Sequence, residues 1–176
     1  MKLRLSATAL MCAAALTVNA DPAGVDELRI GITDHDTDLL SATVEPGFDL
    51  SLEVLFKSPT WLKWAYSPRP NIGLNLNSES ATNVLYFGTV WQLPIAAGFF
   101  GEGGLGIAFN DGEQNTGKAD KRQLGCSVGF HESVAIGYKF LGHHQIIGAA
   151  EHASNGGFCP PNSGLTSLGL RYGYNF

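Results

Sequence analysis

His152 and Ser154 are the pair in this sequence best suited to chemistry. Residues i and i+2 of an extended strand point to the same face, so a strand through this stretch sets the two side chains side by side. An imidazole beside a hydroxyl can take its proton and make the oxygen a nucleophile toward an ester. The spacing alone is weak, because His-x-Ser arises by chance in many chains. Its surroundings carry more. Glu151-His152-Ala153-Ser154-Asn155-Gly156-Gly157 is followed by Asn162-Ser163-Gly164-Leu165-Thr166, a polar, glycine-rich turn between two extended segments.

The elements that must hold this pair have a period of two. Long apolar side chains alternate with small or polar ones in segments 28–33, 48–56, 69–77, 97–109, 124–140, 145–154 and 164–176, and segment 82–92 is β-prone without a clear phase. Period two sends alternate side chains to opposite faces of a sheet. One face collects aliphatic and aromatic residues, such as Leu28, Ile30 and Ile32 or Leu168, Leu170 and Tyr172. The other collects glycine with Arg29, Glu53, Arg69, Glu102, Lys139 and Arg171. Small residues and mutually paired charges suit a narrow lumen, with the apolar face toward lipid. Eight strands enclose a lumen that side chains just fill, and closure removes the edges that lipid does not tolerate. The expected fold is an all-β, eight-stranded antiparallel transmembrane β-barrel of outer-membrane type. The last strand, alternating to a terminal Phe176, resembles the C-terminal strand of bacterial outer-membrane proteins. With both termini on the periplasmic side, 110–121 and 155–163 are outer loops and 142–144 is an inner turn. The longer inner turn 57–68 carries Trp61, Trp64 and Tyr66 as interfacial anchors. By parity with Ile146, Gly148 and Ala150, His152 and Ser154 face lipid near the outer rim. A polar pair there is unfavourable without a task, the bland alternative being a rim pair at headgroup level.

Lys2 and Arg4, the apolar stretch 5–18 and Val18-Asn19-Ala20 read as a secretory signal peptide over residues 1–20, leaving 21–176 as the barrel domain. The formal net charge is −5, with no basic cluster, which excludes a nucleic-acid partner. Cys126 and Cys159 form either a disulfide or two free thiols. His143 and His144 lack partners at metal-ligand spacing, so neither a metal nor another cofactor is expected. Asp34, Asp36 and Asp38 alternate in an outer loop, read as solvated. Arg69, Arg171, Glu53 and Glu102 read as a lumen salt-bridge network.

The stretch H-x-S-N, a following glycine and N-x-G before the final strand resemble the signature of PagL-type lipid A 3-O-deacylases. Pro68 through Gly73, Gly101 through Gly106, and Leu124-Gly125 through Gly137-Tyr138 are similar as well. The resemblance implies an eight-stranded barrel of the Gram-negative outer membrane. Its active site lies on the membrane-facing wall and removes an ester-linked 3-hydroxyacyl chain from lipid A. Carried onto this chain, Ser154 is the nucleophile and His152 the general base. Asn155, Gly157 and Asn162 become candidates for orienting the pair and holding the oxyanion. The position of the family's triad acid is occupied by Thr166, which can accept an imidazole N–H but supplies no charge. Three arrangements fit: a dyad with a weaker orienter, a carboxylate from elsewhere, or reduced activity. Glu151 points to the lumen by parity. Glu132 has the right parity on the sixth strand but is expected to sit too deep.

The expected function is thus a cofactor-free serine esterase acting on lipid A or lipopolysaccharide in the outer leaflet. The alternatives are a non-enzymatic outer-membrane barrel with a structural or binding role, and a soluble periplasmic lipid-binding barrel. Acyl specificity and oligomeric state leave no mark on the sequence.

Overall fold

The computed structural model describes residues 24–176 apart from 38, 41, 43 and 116. The signal segment 1–20 and Asp38 lie outside the described residues. Eight strands run in order: β1 (Val25–Asp34), β2 (Phe48–Phe56), β3 (Arg69–Asn77), β4 (Val84–Ala96), β5 (Phe99–Asn110), β6 (Val128–Phe140), β7 (His144–Ser154) and β8 (Leu165–Asn175). Each pairs antiparallel with the next, and β8 returns to β1, so the sheet closes into a barrel without an open edge.

The dyad pattern turns into two faces. Leu28, Ile30 and Ile32 of β1 are exposed on the outer wall, while Arg29 and Thr33 of the alternate set are buried in the lumen. Closure also assigns β4 its phase. Tyr86 points inward and is fully buried, and a Cβ on Gly73 of β3 would fall 2.0 Å from its ring. The bare glycine on the neighbouring strand is what admits the phenol, which stacks on His131 at 3.9 Å between ring centroids. Around Tyr86, the side chains of Val84, Ala108, Leu124, Ala153 and Leu165 form an apolar plug at the end bearing the long loops.

Charges fill the rest of the lumen in pairs. Arg29 contacts Glu27, Glu53 at 3.2 Å and Glu102 at 2.7 Å, and Arg69 bridges Glu27 and Glu102 at 2.7 and 3.2 Å. Arg171 meets Glu151 at 2.5 Å and Glu53 at 3.5 Å, and Glu151 also faces His131 at 3.3 Å. The network takes in the four expected residues and adds Arg29, Glu27 and Glu151. Buried charges persist only when paired in this way.

Two expectations are corrected. The sixth strand begins at Val128, not Leu124, because Gly125 adopts φ +72° and takes residues 124–127 out of the extended strand. Asp36 is not solvated. It is fully buried and its carboxylate meets Arg122 at 2.7 Å, which ties the loop 35–47 to the loop 111–127. Next to it His35 lies between Asp49 at 2.8 Å and Glu45 at 3.1 Å. Burial opposes the His35 charge, but hydrogen bonds to Asp49 and Glu45 outweigh it and raise the pKa to about 9. At the opposite end the turn between β2 and β3 contains a short 3-10 helix (Thr60–Ala65), with Trp61, Trp64 and Tyr66 exposed. Among the described residues no helix is long and apolar enough to cross a membrane.

Candidate active site

His152 sits two residues from the loop end of β7 with β6 on one side and β8 on the other. Its register partners are Glu132 of β6 and Thr166 of β8. Thr166 is buried, and its Oγ1 lies 2.9 Å from His152 Nδ1. The other edge of the ring packs beneath Gly164, where an added Cβ would lie 2.7 Å from Cε1 and 3.1 Å from Nε2. Gly164 also has φ +64°, a region L side chains rarely adopt, so only glycine lets the chain turn back over the imidazole. Nδ1 is therefore committed to Thr166, and the Nε2 edge faces the turn that follows Ser154.

Ser154 is the last residue of β7, opposite Phe130 of β6. No hydrogen bond joins its hydroxyl to His152 among the described residues; the two share a face at strand spacing. Such contacts often tighten only when substrate is bound.

Asn155 braces the turn. Its Nδ2 donates to the carbonyls of Leu124 and Cys159 at 2.7 Å each and of Pro161 at 3.3 Å. Its Oδ1 accepts from Gly157 N–H at 2.8 Å. The Asn155 backbone N–H goes in turn to Asn162 Oδ1 at 2.9 Å. Cys126 and Cys159 are joined in a disulfide with a Cα separation of 5.7 Å, which links the loop before β6 to this turn.

Below the pair, the outer wall is hollowed. A groove of about 500 Å³ runs from His152, Thr166 and Glu132 down past Ala150 and Gly103. Gly103 leaves open space where a side chain would stand. Leu105 and Val134 flank the hollow, and Leu39 and Leu40 reach over it from the loop 35–47. That loop is fastened to the site, since Thr37 N–H donates to the Thr166 carbonyl at 2.8 Å. Glu151 lines the same wall, but its carboxylate is held in the lumen by Arg171.

Sequence reasoning misplaced Glu132. It stands level with His152, because the turn between β6 and β7 centres on Gly142 and places residues 132 and 152 at equal distance from it. That turn position was the available signal. The groove left none, since its depth depends on which small residues of β5 and β7 meet across β6. Among the described residues no three His, Cys, Asp or Glu side chains gather as a metal site.

The family model described as lipid A 3-O-deacylase (PagL) matches residues 46–175. Among solved structures, the crystal structure of the outer membrane enzyme PagL aligns at a TM-score of 0.59 with 21% identity, over 86% of this chain and 99% of that one. A de novo designed transmembrane β-barrel aligns at 0.56 with 12% identity, over 87% and 96%. The N-terminal β-barrel domain of Pseudomonas aeruginosa OprF aligns at 0.52 with 6% identity, over 86% and 98%. At these identities the structural likeness is one of fold. No curated protein matches the chain. The family match reaches from the start of β2 to the end of β8 and includes every residue of the candidate site apart from the overhanging Leu39 and Leu40; the chain belongs to the lipid A 3-O-deacylase (PagL) family.

Proposed function

We propose that the protein is a serine esterase of the outer membrane that hydrolyses the 3-O ester-linked hydroxyacyl chain of lipid A. The observation that carries this is His152 on the lipid-facing wall at the head of an apolar groove, with Ser154 two residues on along the same strand face. An acyl chain lying in the groove brings its ester to the level of His152. The Nε2 of His152 takes the proton of Ser154 as Oγ bonds to the ester carbonyl carbon. The imidazolium then gives that proton to the departing sugar oxygen, leaving an acyl-serine. Water, deprotonated by the same imidazole, releases the fatty acid and restores the serine.

The oxyanion needs donors beside Ser154. The Gly157 N–H is given to Asn155 Oδ1, and the Asn155 N–H to Asn162 Oδ1. The Gly156 N–H and the Asn162 side-chain amide are left for the oxyanion. Asn155 acts by holding the turn in shape, and the Cys126–Cys159 disulfide reinforces it. No cofactor takes part.

The test is mass spectrometry of lipid A from Gram-negative cells expressing the wild type or Ser154→Ala, with barrel assembly followed by heat-modifiable gel mobility. Loss of one 3-hydroxyacyl chain with the wild type alone supports the reading. Unchanged lipid A beside an assembled wild-type barrel defeats it. The neutral Thr166 at His152 Nδ1 favours a second reading, a non-enzymatic barrel with a structural or binding role, and that result would select it.

A further inference from the structure

We infer that Glu132 supplies the negative charge that Thr166 does not, acting as a positioning residue for His152. The inference rests on the esterase reading above. Glu132 lies on the lipid-facing side of β6, between the exposed Phe130 and Val134. It is the register partner of His152, on the flank opposite Thr166, and lines the same groove. Directly cross-strand side chains have Cβ atoms about 4.5–5.5 Å apart, within reach of a glutamate and an imidazole. The Glu132 Oε2 is buried without any hydrogen-bond partner. Its other register neighbour is Leu105, which offers no polar atom. An unpartnered carboxylate oxygen on an apolar wall is costly, unlike the lumen carboxylates Glu27, Glu53, Glu102 and Glu151, each of which meets an arginine.

The division of labour follows from position. Thr166 Oγ1 lies 2.9 Å from Nδ1, and with Nε2 acting as the base it is Nδ1–H that donates to the threonine oxygen. When His152 takes the serine proton, the ring becomes a cation in an apolar groove where charges are poorly screened. A carboxylate one strand away then stabilises the cation and the transition state leading to it. Two neighbours split between them what one acid otherwise does, one the hydrogen bond and the other the charge. Among the described residues lining the groove, Glu151 is the other acid, and its charge is spent on Arg171.

The experiment compares the wild type, Glu132→Gln, Thr166→Glu and the double variant, all checked for assembly by heat-modifiable mobility. Two readouts are taken in detergent: kcat and KM for lipid A, and the rate at which a fluorophosphonate labels Ser154, with Ser154→Ala as blank. Glu132→Gln should lower kcat and the labelling rate about 10- to 100-fold at nearly constant KM, and less than about threefold once Thr166→Glu supplies an acid. An equal loss in both backgrounds, no loss in either, or a change confined to KM would overturn the inference, the last by making Glu132 a substrate contact. If the wild type labels but leaves lipid A intact, the lipid A reading falls and the labelling rates still decide on Glu132. If it does neither, both fall.

Discussion

The lumen and the outer wall of this barrel treat polar groups in opposite ways. Inside, each buried charge has a partner: Arg29 three carboxylates, Arg171 two, and Glu151 both an arginine and a histidine. Outside, on a wall of leucine, isoleucine and phenylalanine, four polar side chains, His152, Ser154, Thr166 and Glu132, share one region with a single hydrogen bond among them, between His152 and Thr166. The lumen arrangement is self-sufficient and serves stability. On the esterase reading, the wall arrangement is completed by a lipid entering from the membrane, which is why its groups are left without partners.

The contrast can be broken from either side. The largest effect is expected outside. Ser154→Ala or His152→Asn should reduce deacylation at least about a thousandfold without lowering the unfolding temperature in detergent, because neither side chain belongs to the lumen network. A matching loss of stability would mean the pair is structural after all. Next comes Gly164→Ala, whose methyl group would lie 2.7 Å from His152 Cε1 at φ +64°. It should lower kcat about 10- to 100-fold by displacing the ring, as seen in steady-state kinetics. An unchanged kcat would show that the imidazole has room to move.

Inside, the order reverses. Arg171→Met leaves the buried Glu151 with no cation but His131 and one hydrogen bond from Asn75, and should cost about 3–5 kcal/mol in denaturant unfolding, while activity per assembled barrel stays within a few-fold. A collapse of activity at full stability would tie the lumen to the catalytic wall.

The smallest effect lies in the rim clamp, which joins the two regions through the loop carrying Leu39 and Leu40. His35 has its pKa raised to about 9, so its contribution is full below about 6.5 and fades as pH rises through 9. Burial works against the Glu45 charge, but hydrogen bonds from His35, Thr82 and Arg122 prevail and lower its pKa from 4.5 to about 2. Its contribution is full above 4.5 and is lost as pH falls toward 2. The clamp is therefore tightest between about pH 4.5 and 6.5. Hydrogen exchange in loop 35–47, corrected for its intrinsic pH dependence, should speed up above pH 8. The His35→Gln variant should lack that step, and its persistence there would assign the effect to another group.

Several features could be read one residue at a time. Alternation in β1, β2, β3 and β8 is local, since a strand's period is two wherever it lies, and it exposed both the barrel and the inward charges. The shared face of His152 and Ser154 follows from the same rule, as does the inward turn of Glu151. The family signature around 152–166 is a contiguous pattern and needs no neighbours to be recognised. What stands across from what is a different matter. The phase of β4 depends on Gly73 leaving space for Tyr86, the burial of Asp36 on an arginine 86 residues later, and the level of Glu132 on the register across Gly142. Asn155 is a candidate in sequence both for orienting the pair and for holding the oxyanion, and nothing local shows that three carbonyls from two loops converge on its amide. Register and closure bring together residues distant in the chain, and local patterning is blind to them because every strand alternates in the same way whatever it pairs with.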